Sequence, residues 1–140
     1  METLSLTMIL WAFCSIVFAG NPPQKVLQTF QNKFTNAKKI SWSKEDASEW
    51  EAEFVLNDQK MSASFDLDGN WLETERELKL NDLPNSVKSA LLNKYSDYKI
   101  QEIEAIQSPS FDGYEFALKK GSVKKEVLSD SQGNLTEKHE

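Results

Sequence analysis

Three acids in the segment Ser64–Glu75, SFDLDGNWLETE, have nearly the spacing of a calcium-binding loop. Asp66 and Asp68 alternate toward Gly69, and Glu75 stands six residues beyond that glycine. In a calcium loop such oxygen ligands wrap a hard cation while glycine permits the sharp bend. Two features argue against it here. The first ligand position holds Ser64 instead of an acid, and the preceding Met61-Ser62-Ala63-Ser64-Phe65 has the period of a strand, not of a flanking helix. A related segment, Asp130-Ser131-Gln132-Gly133-Asn134, keeps the Gly-Asn pair but puts Leu128, Gln132 and His139 at ligand positions. Both segments share turn chemistry, a left-handed glycine beside an asparagine. A hairpin turn is the preferred reading. A small-ligand or divalent-cation site at Asp66, Asp68 and Glu75 is the alternative.

The acids Glu49, Glu51, Glu53, Glu73, Glu75 and Glu77 are the other chemical candidates. Paired carboxylates hydrolyse glycosides only where a pocket raises one pKa. Acids alternating along a solvated sheet offer no such pocket. The sole cysteine is Cys14 and the sole histidine is His139, next to the C-terminus. That pattern argues against a Ser-His-Asp triad, a thiol nucleophile, a disulfide framework and a multi-histidine zinc site. No catalytic residue and no cofactor is expected.

The leading residues read as a targeting segment. Leu4 to Ala19, LSLTMILWAFCSIVFA, is uncharged and apolar, and Gly20-Asn21-Pro22-Pro23 follows. Residues 1–19 are therefore expected to be a signal peptide cleaved near Ala19, although no Lys or Arg precedes the apolar run. The stretch is short of the roughly 20 residues that span a bilayer, so no integral membrane span is expected in the mature chain. With Glu2 removed, 21 acids face 16 bases, a net charge of −5. Residues 21–80 carry 11 acids and 8 bases, and residues 81–140 carry 10 and 8. Neither half is basic, which argues against nucleic acid as a partner.

Residues 23–39, PQKVLQTFQNKFTNAKK, resemble residues 84–100, PNSVKSALLNKYSDYKI, at an offset of 61. Pro23, Val26, Asn32, Lys33 and Lys38 meet Pro84, Val87, Asn93, Lys94 and Lys99. EFVL at 53–56 returns as EFAL at 115–118, and the turn around Gly69 returns around Gly133. One unit is read twice, over about residues 22–80 and 81–140. Each opens with a helix: Val26, Leu27, Phe30 and Phe34 share one face, as do Val87, Ala90, Leu91 and Tyr95. The period then changes to two. Trp50, Ala52, Phe54 and Leu56 lie opposite Glu49, Glu51 and Glu53, and Asn57-Asp58 marks a hairpin. The pattern predicts a helix followed by four short antiparallel strands, twice, in an α+β fold.

Several dispersed positions carry a family resemblance: Trp42, Trp50-x-Ala52-Glu53-Phe54, Phe65-Asp66-x-x-Gly69-x-Trp71, Glu73-Thr74-Glu75, Leu83-Pro84-x-x-Val87, Tyr95, Ile100, Tyr114-Glu115, Leu118 and Gly133. The chain resembles the PepSY-like family of exported bacterial proteins. The resemblance implies a single domain over residues 20–140, periplasmic or secreted. It also implies a fold like the beta-lactamase inhibitor protein, with tandem units joined in one curved sheet and helices on one face. That inhibitor is disulfide-bonded, and this mature chain cannot be. Ser129 replaces an apolar residue of the family pattern, so the last hairpin is expected to pack loosely. The family supplies no catalytic residues. A non-enzymatic module is expected, engaging an envelope protein or peptide through the open sheet face as an inhibitor or sensor. Strand parity groups Trp71 with Glu73 and Glu75, so Trp71, Glu73, Glu75 and Trp42 are the candidate partner-binding residues.

Overall fold

The structure is a computed structural model and describes residues 20–44 and 46–138. The expected signal peptide, with Cys14, and the terminal His139 lie outside the described residues. Helix α1 (Gln24–Lys33) starts behind Pro23, whose carbonyl accepts from the Val26 and Leu27 amides. Proline suits that place, because its missing N–H would have no helical partner. Strands β1 (Lys38–Lys44), β2 (Glu49–Leu56), β3 (Gln59–Asp66) and β4 (Trp71–Glu77) follow. A 3-10 turn over Leu80–Asp82 leads to α2 (Asn85–Lys94), and then to β5 (Lys99–Gln107), β6 (Asp112–Lys120), β7 (Val123–Ser129) and β8 (Leu135–Glu137). All eight strands form one antiparallel sheet in chain order.

The apolar periodicity explains where each helix sits. Val26, Phe30 and Phe34 are buried against Trp50, Ala52, Phe54, Ala63 and Phe65. Phe30 meets Phe54 edge-on at 5.1 Å between ring centres, a favoured aromatic geometry. Val87, Leu91 and Tyr95 are buried against Ile103, Phe116, Leu118 and Val127, with Leu83 packed into the same cluster. Each buried large side chain contributes roughly 1.5–3 kcal/mol of transfer free energy.

The seam between β4 and β5 sets the two cores on the same side. Its register pairs Thr74 with Gln107, Glu75 with Ile106, Arg76 with Ala105 and Glu77 with Glu104. Facing residues in adjacent strands share a face. Ala52, Ala63 and Thr74 thus lie on the same side as Ala105, Tyr114, Ile103 and Phe116. Both helices cover that side, and among the described residues the other side carries none.

The β2–β3 hairpin turns on Asn57 and Asp58, both with positive φ (51° and 62°), the signature of a type I′ turn. The β6–β7 hairpin pairs Lys120 with Val123 across Gly121 and Ser122. The last hairpin is not loose. Ser129 is buried opposite Tyr114, so a small side chain faces a large one and the volume is filled.

The two Asp-x-x-Gly-Asn turns dock the hairpin tips on the helices. Gly69 (φ 85°) and Gly133 (φ 90°) both adopt left-handed backbone. A Cβ on Gly69 would lie 2.8 Å from the Lys25 carbonyl, and one on Gly133 would lie 2.7 Å from the Ser86 carbonyl oxygen. Thr29 Oγ1 donates to the Gly69 carbonyl at 2.7 Å. Gly69→Ala and Gly133→Ala should each cost about 2 kcal/mol or more, combining left-handed strain with overpacking. Gly121→Ala should cost only about 1 kcal/mol, since its φ is 61° but nothing stands within 4 Å. Urea denaturation of the three variants checks this; equal losses would remove the docking role.

Candidate functional site on the helix-free sheet face

The structure corrects the expected position of Trp71. A bulge between Ser64 and Phe65 pairs Ser64 with Glu73 but Phe65 with Trp71, so Leu72 is an extra residue. One extra residue reverses the parity of everything before it. Trp71 therefore joins the helix side, half-buried and packed against the first core. Its indole Nε1 donates to Thr74 Oγ1 at 2.9 Å, and Lys33 Nζ stands 3.7 Å over the ring. Trp42 lies on the same side, opposite Ala52, with Phe30 edge-on at 5.2 Å. Both tryptophans are structural neighbours of the core, so neither anchors the open face.

The acidic turn is a hydrogen-bonded cage around one carboxylate. Asp66 Oδ1 accepts from the Asp68 and Asn70 amides, and Oδ2 accepts from Asn70 Nδ2. Asp130 repeats the pattern with the amides of Gln132 and Asn134 and with Asn134 Nδ2. Burial pushes the Asp66 pKa up, but bonds from Asn70, Asp68 and Gly69 outweigh it and hold the group below its ordinary value. Asp130 is lowered by the Asn134 side chain first and then by backbone donors. Asp68 is exposed, 3.9 Å from Lys25. Glu75 lies away on β4, accepting from Ser62 Oγ at 3.1 Å. Among the described residues no three ligating side chains are grouped to hold a metal ion. Asp66→Ala should therefore cost about 2 kcal/mol in lost hydrogen bonds, while Asp68→Ala changes stability by less than about 0.5 kcal/mol. Thermal unfolding with and without calcium is the check: a calcium-dependent rise that Asp68→Ala abolishes would contradict the turn role.

Glu73 and Glu75 do lie on the helix-free side, and the register extends them into rows. Glu51, Ser64 and Glu73 form one row; Glu53, Ser62, Glu75, Ile106 and Gly113 form the next. A third runs Glu77, Glu104, Glu115, Leu128 and Thr136. Glu73 and Glu115 are buried despite their charge. Lys138 closes over Glu115, donating to Oε1 and Oε2 at 2.7 Å each and standing 3.7 Å from Glu126 Oε2. On the helix side Glu137 accepts from Tyr95 Oη at 2.8 Å and from Lys125 Nζ at 2.7 Å. Glu137 and Lys138 are thus held from opposite faces.

Glu104 and Glu115, also on this side, fall outside the six acids weighed for chemistry. Burial pushes Glu104 up to about 8, with Glu75, Glu102, Glu115 and Glu77 adding repulsion. Burial likewise raises Glu115 to about 7, opposed by Lys138. A signal was present: in Tyr98–Ile106, YKIQEIEAI, Glu102 and Glu104 alternate with Ile103 and Ala105, which places both on the acidic side.

A family model described as "Putative beta-lactamase-inhibitor-like, PepSY-like" matches residues 48–137. The fold is similar to that of a BLIP-like protein of Bacteroides fragilis, with a TM-score of 0.76 at 24% identity over 84% of this chain and 86% of that one. A DUF2874 family protein of Bacteroides ovatus gives 0.75 at 21% identity, covering 84% and 89%. A protein of Bacteroides eggerthii described as "putative periplasmic" gives 0.73 at 22%, covering 84% and 90%. Among curated proteins none matches the chain. No helix among the described residues is long and apolar enough to cross a membrane. The chain belongs to the PepSY-like family, with two helices on one side of an open eight-stranded antiparallel sheet.

Proposed function

We propose that this protein is an exported, non-enzymatic binding module whose helix-free sheet face engages a protein or peptide of the cell envelope. The observation that carries the reading is a group of solvent-reaching glutamates on the side that has no helix among the described residues: Glu51 and Glu53 on β2, Glu75 and Glu77 on β4. Charge complementarity selects a partner whose contact surface is rich in Lys or Arg, because matched potentials steer encounter and fix register. The inhibitor-like description of the family favours a macromolecular partner. Binding without chemistry suits an inhibitor or a sensor, which acts by occupying a surface. The Bacteroides eggerthii relative supports an envelope location, reached through a signal peptide over residues 1–19.

The test is recovery of partners from envelope extract by wild type, Glu53→Lys/Glu75→Lys and Trp71→Ala. Wild type and Trp71→Ala should recover the same basic partner, and the charge-reversed variant should recover at least about tenfold less, the effect of losing roughly 1.4 kcal/mol. Raising the salt should weaken wild-type capture. Equal recovery by the charge-reversed variant would rule out the sheet face as the contact.

A further inference from the structure

We infer that the seam between β4 and β5 is a proton-dependent joint, tight while its open side holds a proton among facing glutamates and looser once that proton leaves. Glu77, Glu104 and Glu115 stand directly opposite one another across three adjacent strands. The Leu78 amide donates to the Ile103 carbonyl at 2.8 Å, which makes Leu78 and Ile103 a hydrogen-bonded pair. Glu77 and Glu104, one step along, are then a non-hydrogen-bonded pair, the arrangement in which facing side chains come closest. Like charges in that position are destabilising.

Glu104 Oε2 is shielded from solvent and has no hydrogen-bond donor, alone among the buried side-chain oxygens and nitrogens of the described residues. An ionised carboxylate in that setting is costly, and a proton removes the charge. The charged groups around it are Glu75 and Glu77 from β4, Glu102 from its own strand, and Glu115 from β6. Beyond them lie Glu126 on β7 and Lys138 after β8, and Lys138 is engaged by both Glu115 oxygens. Among the described residues no donor reaches Glu104 Oε2.

The sign follows from the shifts. Folded Glu104 keeps its proton to about pH 8, whereas an unperturbed glutamate releases it near 4.5. The folded state binds more protons between those values, so stability is greatest below 4.5 and falls as pH rises toward about 8. Glu102, raised by burial and then by Glu75 and Glu77, and Glu115 act in the same direction. Asp66 and Asp130 oppose the trend only in acid, below their ordinary value of 3.8. Among the described residues the seam is the only strand pairing between the two helix-plus-four-strand halves, and the facing Glu77 and Glu104 stand within it. The inference stands whether or not the face binds a partner.

The test is thermal unfolding of the full chain at pH 5.5 and 8.5, with carboxyl-carbon NMR titration of Glu104 in the wild type. Wild type should lose several degrees of unfolding midpoint at the higher pH. Glu104→Gln should flatten that dependence and exceed wild type at pH 8.5. A Glu53→Gln control, on the same face but away from the seam, should keep the wild-type slope. Glu104 should titrate with a midpoint above 7. A Glu104 midpoint below 5, or an unchanged slope in Glu104→Gln, would overturn the proposal. The wild-type titration decides the matter even if the variant folds poorly.

Discussion

The structure depends on four residue pairs. Thr74 with Gln107, Glu75 with Ile106, Arg76 with Ala105 and Glu77 with Glu104 join two helix-plus-four-strand halves into one sheet. A half of about 60 residues buries a smaller fraction of its surface than the whole, and is marginal alone. The joint also covers the strand edges that β4 and β5 would otherwise expose. Because cross-strand neighbours share a face, this register alone places both helices on one side. The same four pairs therefore create the uncovered side and concentrate its acids at the middle.

The helix side and the open side solve different problems. On the helix side, apolar rings fill volume and the Asp-x-x-Gly-Asn turns bring each hairpin tip onto the first turns of a helix. Their carboxylates are held by the Asn70 and Asn134 side chains and then by backbone donors, which is why Asp66 and Asp130 sit below the ordinary range. On the open side, carboxylates meet one another across strands. Glu115 is relieved by Lys138, whereas burial first, and then repulsion from Glu75, Glu102, Glu115 and Glu77, carries Glu104 up to about 8. Similar residue types thus reach opposite protonation behaviour through the donors that each position supplies.

Much of the architecture was legible in the chain. Period 3.6 over Val26–Phe34 and Val87–Tyr95, period two over Trp50–Leu56 and the Asn57-Asp58 turn each match an observed element. The turn reading of the Asp66 segment likewise matches its hydrogen bonds. What strand parity could not show was the bulge at Leu72, because an extra residue is a property of pairing rather than of one strand. That is why Trp71 was expected beside Glu73 but lies under Lys33. The Glu104 cluster escaped for a related reason: Glu102 and Glu104 alternate legibly, but their conflict with Glu77 and Glu115 arises only once the register of three strands is known. Ser129 fits because Tyr114 stands opposite it, a consequence of the β6–β7 register that no single strand displays.

The most direct measurement of the shared sheet is a disulfide placed across the seam. Glu75 and Ile106 face each other two steps from Glu77, again in a non-hydrogen-bonded pair, a geometry close enough to bridge. In a chain with Cys14→Ser, Glu75→Cys/Ile106→Cys introduces the only two cysteines. The observed register predicts a disulfide that forms readily on mild oxidation and raises the unfolding midpoint above that of the reduced protein. A folded protein whose two thiols stay free under the same conditions would contradict it.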